Sequence, residues 1–258
     1  MFDLHTLPDS LFPQGFLWGS STAGHQIEGN NVHSNWWHKE VTEKWDEPSG
    51  IACDHWNRWK EDFDLLISLG HRAYRMSVEW SRIEPEEGVR NEKALARYLE
   101  MLSYLKERGL RVCVTLHHFT HPQWFEEKGA FRKVENLPHF ERHVEFLVPK
   151  IAPYVDLWNV INEFNMHRGE QAAPFKESML RAHAHAYRVI KSCSEAPVST
   201  AHAFVHYQPR RYYDAADRML TEFLDWECNE FFFHAVRTGE LVLPFADRRT
   251  PCFDPKRL

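Results

Sequence analysis

The stretch Asp156–Asn165 reads DLWNVINEFN: five apolar or aromatic side chains, Leu157, Trp158, Val160, Ile161 and Phe164, around one adjacent polar pair, Asn162 and Glu163. A carboxylate at the end of so apolar a run is costly to bury unless it has partners or a task. Upstream, Arg75 sits in RAYRMSVEW among Ala73, Tyr74, Met76 and Val78, and a guanidinium on a buried strand requires an anionic partner. Two further acids, Glu79 at the end of the same run and Glu28 in QIEG, read as loop-bonding structural residues rather than as a nucleophile. Metal chemistry has little support. His117 and His118 are adjacent on a strand and point to opposite faces, while His183 and His185 lie two apart on a helix and share no face.

These residues need a frame. Short apolar runs alternate with longer segments of helical period. FLWGSST (16–22) precedes a helix over 57–70, and RAYRMSVEW (72–80) precedes one over 91–108. RVCVTLHHF (111–119) precedes a helix over 137–151, and VDLWNVIN (155–162) one over 171–192. PVSTAHAFVHY (197–207) precedes a long helical segment ending near 239–240, after which the tail reads as loop.

Strands separated by whole helices pair in parallel, so the class is α/β. The polar residues Ser20, Glu79, His117, His118, Asn162 and Glu163 fall at the C-terminal ends of the strands, where a (β/α)8 barrel carries its functional side chains. Only about five βα units are counted, so the expected architecture is an incomplete TIM barrel over 1–258. Strands six to eight are then absent from this sequence, and the first and fifth strands are left as open edges. No strand is followed by GxGxxG or GxxxxGK[ST], which disfavours a nucleotide-binding sheet, and no cofactor is expected.

The 258 residues, 43% hydrophobic and 26% charged, suffice for one sizeable core. A net charge of −6 without a long basic stripe excludes a general nucleic-acid binder. The N-terminus lacks a basic and then apolar leader, and no apolar stretch approaches the roughly 18 residues of a membrane span. The five cysteines are scattered without a CxxC pair, so the expectation is a reduced, cytoplasmic protein with Cys113 buried in a strand.

FLWGSSTAGHQIEG, CDHWNRWKEDFDLLISLGHRAYRMSVEWSRIEPEEG, VTLHHFTHPQWF and WNVINEFN, in that order, together resemble the N-terminal part of the glycoside hydrolase family 1 enzymes, the β-glucosidase group. The resemblance implies retaining hydrolysis of β-linked glycosides, which uses two carboxyls roughly 5 Å apart, one as acid/base and one as nucleophile. It makes Glu163 the acid/base, with Trp158 and Phe164 as an apolar wall that favours its protonated form. It assigns sugar hydroxyls to Gln26, His118 and Asn162, whose neutral groups both donate and accept. Stacking is assigned to Phe119 and Trp124, with Trp36 and Trp37 as further aromatic candidates. Arg75 matches the arginine that holds the nucleophile, a glutamate in a Glu-Asn-Gly motif.

No Glu-Asn-Gly occurs between Met1 and Leu258. Two readings stay open. One is a glycosidase whose β-glycoside substrate meets Glu163. The other is a non-catalytic fragment or half-barrel that self-associates or needs a complementary chain to supply the nucleophile. In either case the isolated chain is expected to be inactive. The family's proline after the glutamate is Phe164 here, so Glu163 lacks the backbone restriction a proline imposes on the residue before it.

Overall fold

The computed structural model describes residues 12–167, 172–243 and 248–257. Five strands form one parallel sheet: β1 (Gly19–Ser21), β2 (Ala73–Ser77), β3 (Arg111–His117), β4 (Leu157–Asn162) and β5 (Val198–Ala201). They are ordered in space as in sequence, β1 to β5, so each pairs only with its neighbours along the chain. Among the described residues β1 and β5 are the edges of an arc that makes up part of a (β/α)8 barrel. Both edge strands are shorter than the apolar runs predict. Beyond Ala201 the next backbone amide that bonds a side chain, that of Ala203, donates to the Asn165 carboxamide.

Helices α3 (His55–Ser68), α5 (Glu92–Glu107), α7 (Leu137–Ile151) and α8 (Ala173–Lys191) cover one side of the sheet. Their buried residues recur at three- and four-residue spacing: Trp59, Phe63 and Leu66 on α3; Tyr98, Met101, Leu102 and Leu105 on α5; Phe140, Val144, Leu147 and Ile151 on α7. The strands answer with alternating side chains. Tyr74, Met76, Val112, Val114, Trp158 and Val160 are buried in this core, whereas Arg75, Cys113 and Asn159 have the opposite parity and point to the inner side of the arc. Asn159 ties three strands there, donating to Thr115 Oγ1 at 3.0 Å and accepting from the Ala201 amide at 2.6 Å. Cys113 is therefore half-buried rather than enclosed.

One expectation holds and one fails in the last fifty residues. The long helical segment is continuous, running through α9 (Ala215–Asp225), a π-helical turn over Trp226–Glu230 and α10 (Phe231–Thr238), and Gly239 stops it at φ +79°, at the expected end. The tail is not loop: β6 (Glu240–Leu243) pairs antiparallel with β7 (Arg248–Pro251). RRTP carries no apolar alternation, so periodicity could not reveal the hairpin. Long-range contacts hold it, with Leu241 and Cys252 buried and Arg181 of α8 donating to the carbonyls of Pro251 and Cys252.

Candidate active site

Three short helices and their loops cap the C-terminal ends of β1 to β3: α1 (Gly24–Ile27) and α2 (Asn35–Glu43) after β1, and α4 (Trp80–Ile83) after β2. A buried polar network fixes them. Glu79 accepts from Asn31 Nδ2 at 2.9 Å and Thr120 Oγ1 at 2.7 Å, and Asn31 accepts from Ser81. Glu28 accepts from Arg82 Nε at 2.6 Å and from Tyr98 Oη at 2.9 Å. Burial, against the pull of Arg82, raises the Glu28 carboxyl to about 7, and the neighbouring Glu79 adds to the rise. Both strand-end acids are thus engaged in holding loops. Gly24 is required here, because a Cβ would come within 2.5 Å of Glu79 Cγ and 3.0 Å of Glu28 Oε1.

After β3 the chain turns sharply at Phe119, and after β4 at Glu163, with left-handed φ of 63° and 50°. Such values cost a non-glycine residue roughly 1–2 kcal/mol and collect at functional sites. The β3 loop is latched to α2, since Asn35 exchanges two hydrogen bonds with the His121 backbone. His121 in turn meets Glu126 at 2.9 Å, and Arg132 meets the same carboxylate at 2.6 Å. Burial alone would raise Glu126, but these two donors and their charges bring it down to about 2.

A cleft of about 910 Å³ opens between α2, the β3 loop, α6 (Gln123–Glu127) and the end of β4. Trp36 and Phe119 stack at its wall, 5.8 Å apart and within 10° of parallel. Asn162 lines it, 3% exposed, with Oδ1 unpaired among the described residues. Among the described residues its lining carries no unmatched charge, because Lys39 faces Glu43 and Arg132 faces Glu126.

His117 and Phe164 also line it, whereas Gln26, Arg75, His118, Trp124 and Glu163 stand outside this lining. Gln26 is exposed on α1, and His118 and Glu163 are half-buried. Burial and the nearby Arg75 charge lower His118 to about 4, so its imidazole is neutral at pH 7 and can both donate and accept. Arg75 is half-buried instead of enclosed, its Nε is unpaired, and among the described residues it has no carboxylate partner. Trp124 donates its indole N–H to the Glu84 carbonyl at 3.0 Å and packs edge-on against Trp80. Trp36 is the aromatic that reaches the cleft beside Phe119, a pairing between residues 83 positions apart that no spacing rule exposes. The Phe164 ring is 1% exposed and packs edge-on against Phe231, Phe232 and His202.

The turn carrying Glu163 is held by backbone on both sides: its amide donates to the Ala201 carbonyl at 2.7 Å, and its carbonyl accepts from Met166 at 3.0 Å. Such a turn presents a carboxyl at a fixed strand end, beside the unpaired Oδ1 of Asn162, which can accept from a ligand hydroxyl. That arrangement suits proton transfer to and from an oxygen of a neutral, hydroxylated ligand.

Comparison with known proteins agrees with this geometry. The sequence profile of Glycosyl hydrolase family 1 matches residues 9–244. Beta-glucosidase A of Thermotoga maritima is 29% identical over 268 residues, covering 93% of this chain and 60% of the relative. A beta-glycosidase from Pyrococcus horikoshii superposes with a TM-score of 0.86 at 34% identity, over 94% of this chain and 60% of that one. The family 1 b-glucosidase structure from Thermotoga maritima gives 0.83 at 28%, over 90% and 57%. The chain thus spans about 60% of the length of these relatives.

Proposed function

The chain belongs to Glycosyl hydrolase family 1, and from that premise we propose that it carries the acid/base half of a retaining β-glycosidase site acting on β-linked glucosides or related β-glycosides. The observation that carries this reading is the Asn162–Glu163 pair at the end of β4, with Glu163 pinned to Ala201 and the Asn162 Oδ1 unpaired among the described residues at an aromatic-walled cleft. In this mechanism Glu163 first protonates the glycosidic oxygen and then takes a proton from the water that releases the sugar. Gln26, His118 and Asn162 bond sugar hydroxyls, while Phe119 and Trp124 offer stacking surfaces. Arg75 is the residue that receives the nucleophilic carboxylate. The five free thiols suit a reducing, cytoplasmic setting. Among the described residues no helix is long and apolar enough to cross a membrane.

A 2-fluoro-glycoside with a good leaving group traps the covalent intermediate of a retaining enzyme and so reports the nucleophile. The 258-residue chain, read as the first part of a barrel whose strands six to eight lie elsewhere, is expected to show no stoichiometric labelling and no turnover of an aryl β-glucoside above background. Both are expected once a polypeptide bearing the remaining strands is supplied. Labelling of the chain alone, mapped by peptide mass analysis to Glu79, Glu28 or another of its carboxylates, overturns the assignment.

A second reading, association through the open edges, is favoured by the aromatic groups beside them. Phe12, Phe16 and Trp18 cluster before β1, each about half exposed, and Phe204 after β5 stacks on Phe233 at 5.8 Å with both rings open to solvent. Exposed apolar groups beside unpaired strands mark contact surfaces. Sedimentation is expected to find dimers or larger species, with bound hydrophobic dye. A dye-silent monomer rules this reading out.

A further inference from the structure

Asn165, two residues beyond Glu163, is fully buried, and its carboxamide is saturated. Its Nδ2 donates to the carbonyls of Ala203 and Cys228, each at 2.8 Å, and its Oδ1 accepts from the Ala203 amide at 3.2 Å. Ala203 lies just beyond β5, and Cys228 sits inside the π-helical turn between α9 and α10. One side chain therefore joins three segments: the turn after β4, the exit of β5 and the distorted helix. The Cys228 carbonyl also accepts from His202 Nε2 at 3.1 Å, and Lys176 Nζ of α8 donates to the adjacent Glu227 carbonyl at 3.0 Å. Phe231 and Phe232, directly after the π turn, both pack on Phe164.

We infer that Asn165 is a positioning residue for Glu163, and that the π-helical turn is the fixed point against which it holds the Glu163 turn. A π turn widens the helix and leaves carbonyls tilted away from the axis, a distortion that recurs where a function uses it. Here two of its carbonyls receive side chains from neighbouring elements. Glu163 has left-handed backbone and no proline after it to restrict it, so its direction depends on the residues that follow. Phe164 fixes one side of the turn by packing, and Asn165 fixes the other by hydrogen bonds that are donor-specific. The role of this clamp in proton transfer rests on the acid/base assignment of Glu163; the clamp itself does not.

Amide hydrogen exchange and carboxyl carbon NMR on the 258-residue chain test it without turnover. In Asn165→Ala, exchange at the Glu163 and Met166 amides is expected to rise about tenfold relative to exchange at Val114 in β3, because the local opening loses its restraint. The Glu163 carboxyl resonance is expected to move toward that of an unstructured glutamate. Asn165→Asp keeps the size and the acceptor but loses both donated bonds, and it is expected to behave like the alanine variant. Leu105→Ala, a cavity in α5, lowers stability without touching the turn, so it should leave the exchange ratio and the Glu163 resonance in place. An unmoved Glu163 resonance and exchange ratio in Asn165→Ala overturn the clamp. So does the same shift in Leu105→Ala, which makes the effect one of stability alone. If the clamp responds as expected but a trapping glycoside labels the chain elsewhere, the clamp stands as a local restraint and its catalytic role falls with the assignment of Glu163.

Discussion

Glu163→Gln is expected to slow hydrolysis of an alkyl β-glucoside by roughly 10²–10⁴ in the completed barrel, the usual contribution of a general acid, while a dinitrophenyl β-glucoside loses far less in the glycosylation step. The difference follows from the leaving group. An alkoxide must be protonated as it departs, whereas dinitrophenolate leaves as a stable anion. Glutamine keeps the volume of the side chain and the backbone bonds of Glu163 to Ala201 and Met166, so the turn persists and the change isolates the proton. The measurement is kcat/KM across leaving groups of graded acidity. Equal losses on all of them remove Glu163 from the acid/base role.

Acidification is expected to destabilise the chain well above the pH at which carboxylates protonate. Burial holds His183 down to about 4, and it holds His117 and His143 well below the usual 6.5. The folded state keeps these imidazoles neutral, while the unfolded chain accepts protons below 6.5. The contribution is therefore fully present above pH 6.5 and is lost progressively as the pH falls toward the folded values. For His183, 4% exposed and packed edge-on against Phe232, the loss amounts to roughly 3 kcal/mol by about pH 4. That corresponds to about 6–12 °C in melting temperature for a chain of this size. Melting curves from pH 7.5 to 4.5 check it, and His183→Leu should flatten the slope. Glu28, raised to about 7, gains stability over the same range and offsets part of the overall slope, so the decisive comparison is the variant: an unchanged slope in His183→Leu contradicts the buried neutral state.

The periodicity of the sequence made the sheet-and-helix frame legible. The helices on α3, α5, α7 and α8 repeat a buried face every three or four residues, and the strands alternate core with inner-face side chains. Local pattern also located the polar strand ends, because a polar residue closing an apolar run is visible without a structure. What escaped it depends on distant partners. Trp36 was no better marked than Trp124 until the fold brought it against Phe119. The hairpin of β6 and β7 lacks alternation, and Arg75 reads as enclosed although the inner side of the arc leaves it half open. Asn165 reads as one more loop asparagine, because its partner Cys228 lies 63 positions away.

The order of the strands carries a consequence for the making of the protein. Since β1 to β5 pair in the order they occur, each strand leaves the ribosome to find its partner edge already synthesised, and the sheet can extend from the N-terminus as translation proceeds. The turn after β4 has no such provision. Its amide waits for Ala201, and its side-chain anchor waits for Cys228, 63 residues further along the message. A nascent chain can thus hold β4 in register while Glu163 is still unset, so the strand that bears the carboxylate is an early product of synthesis and its geometry a late one.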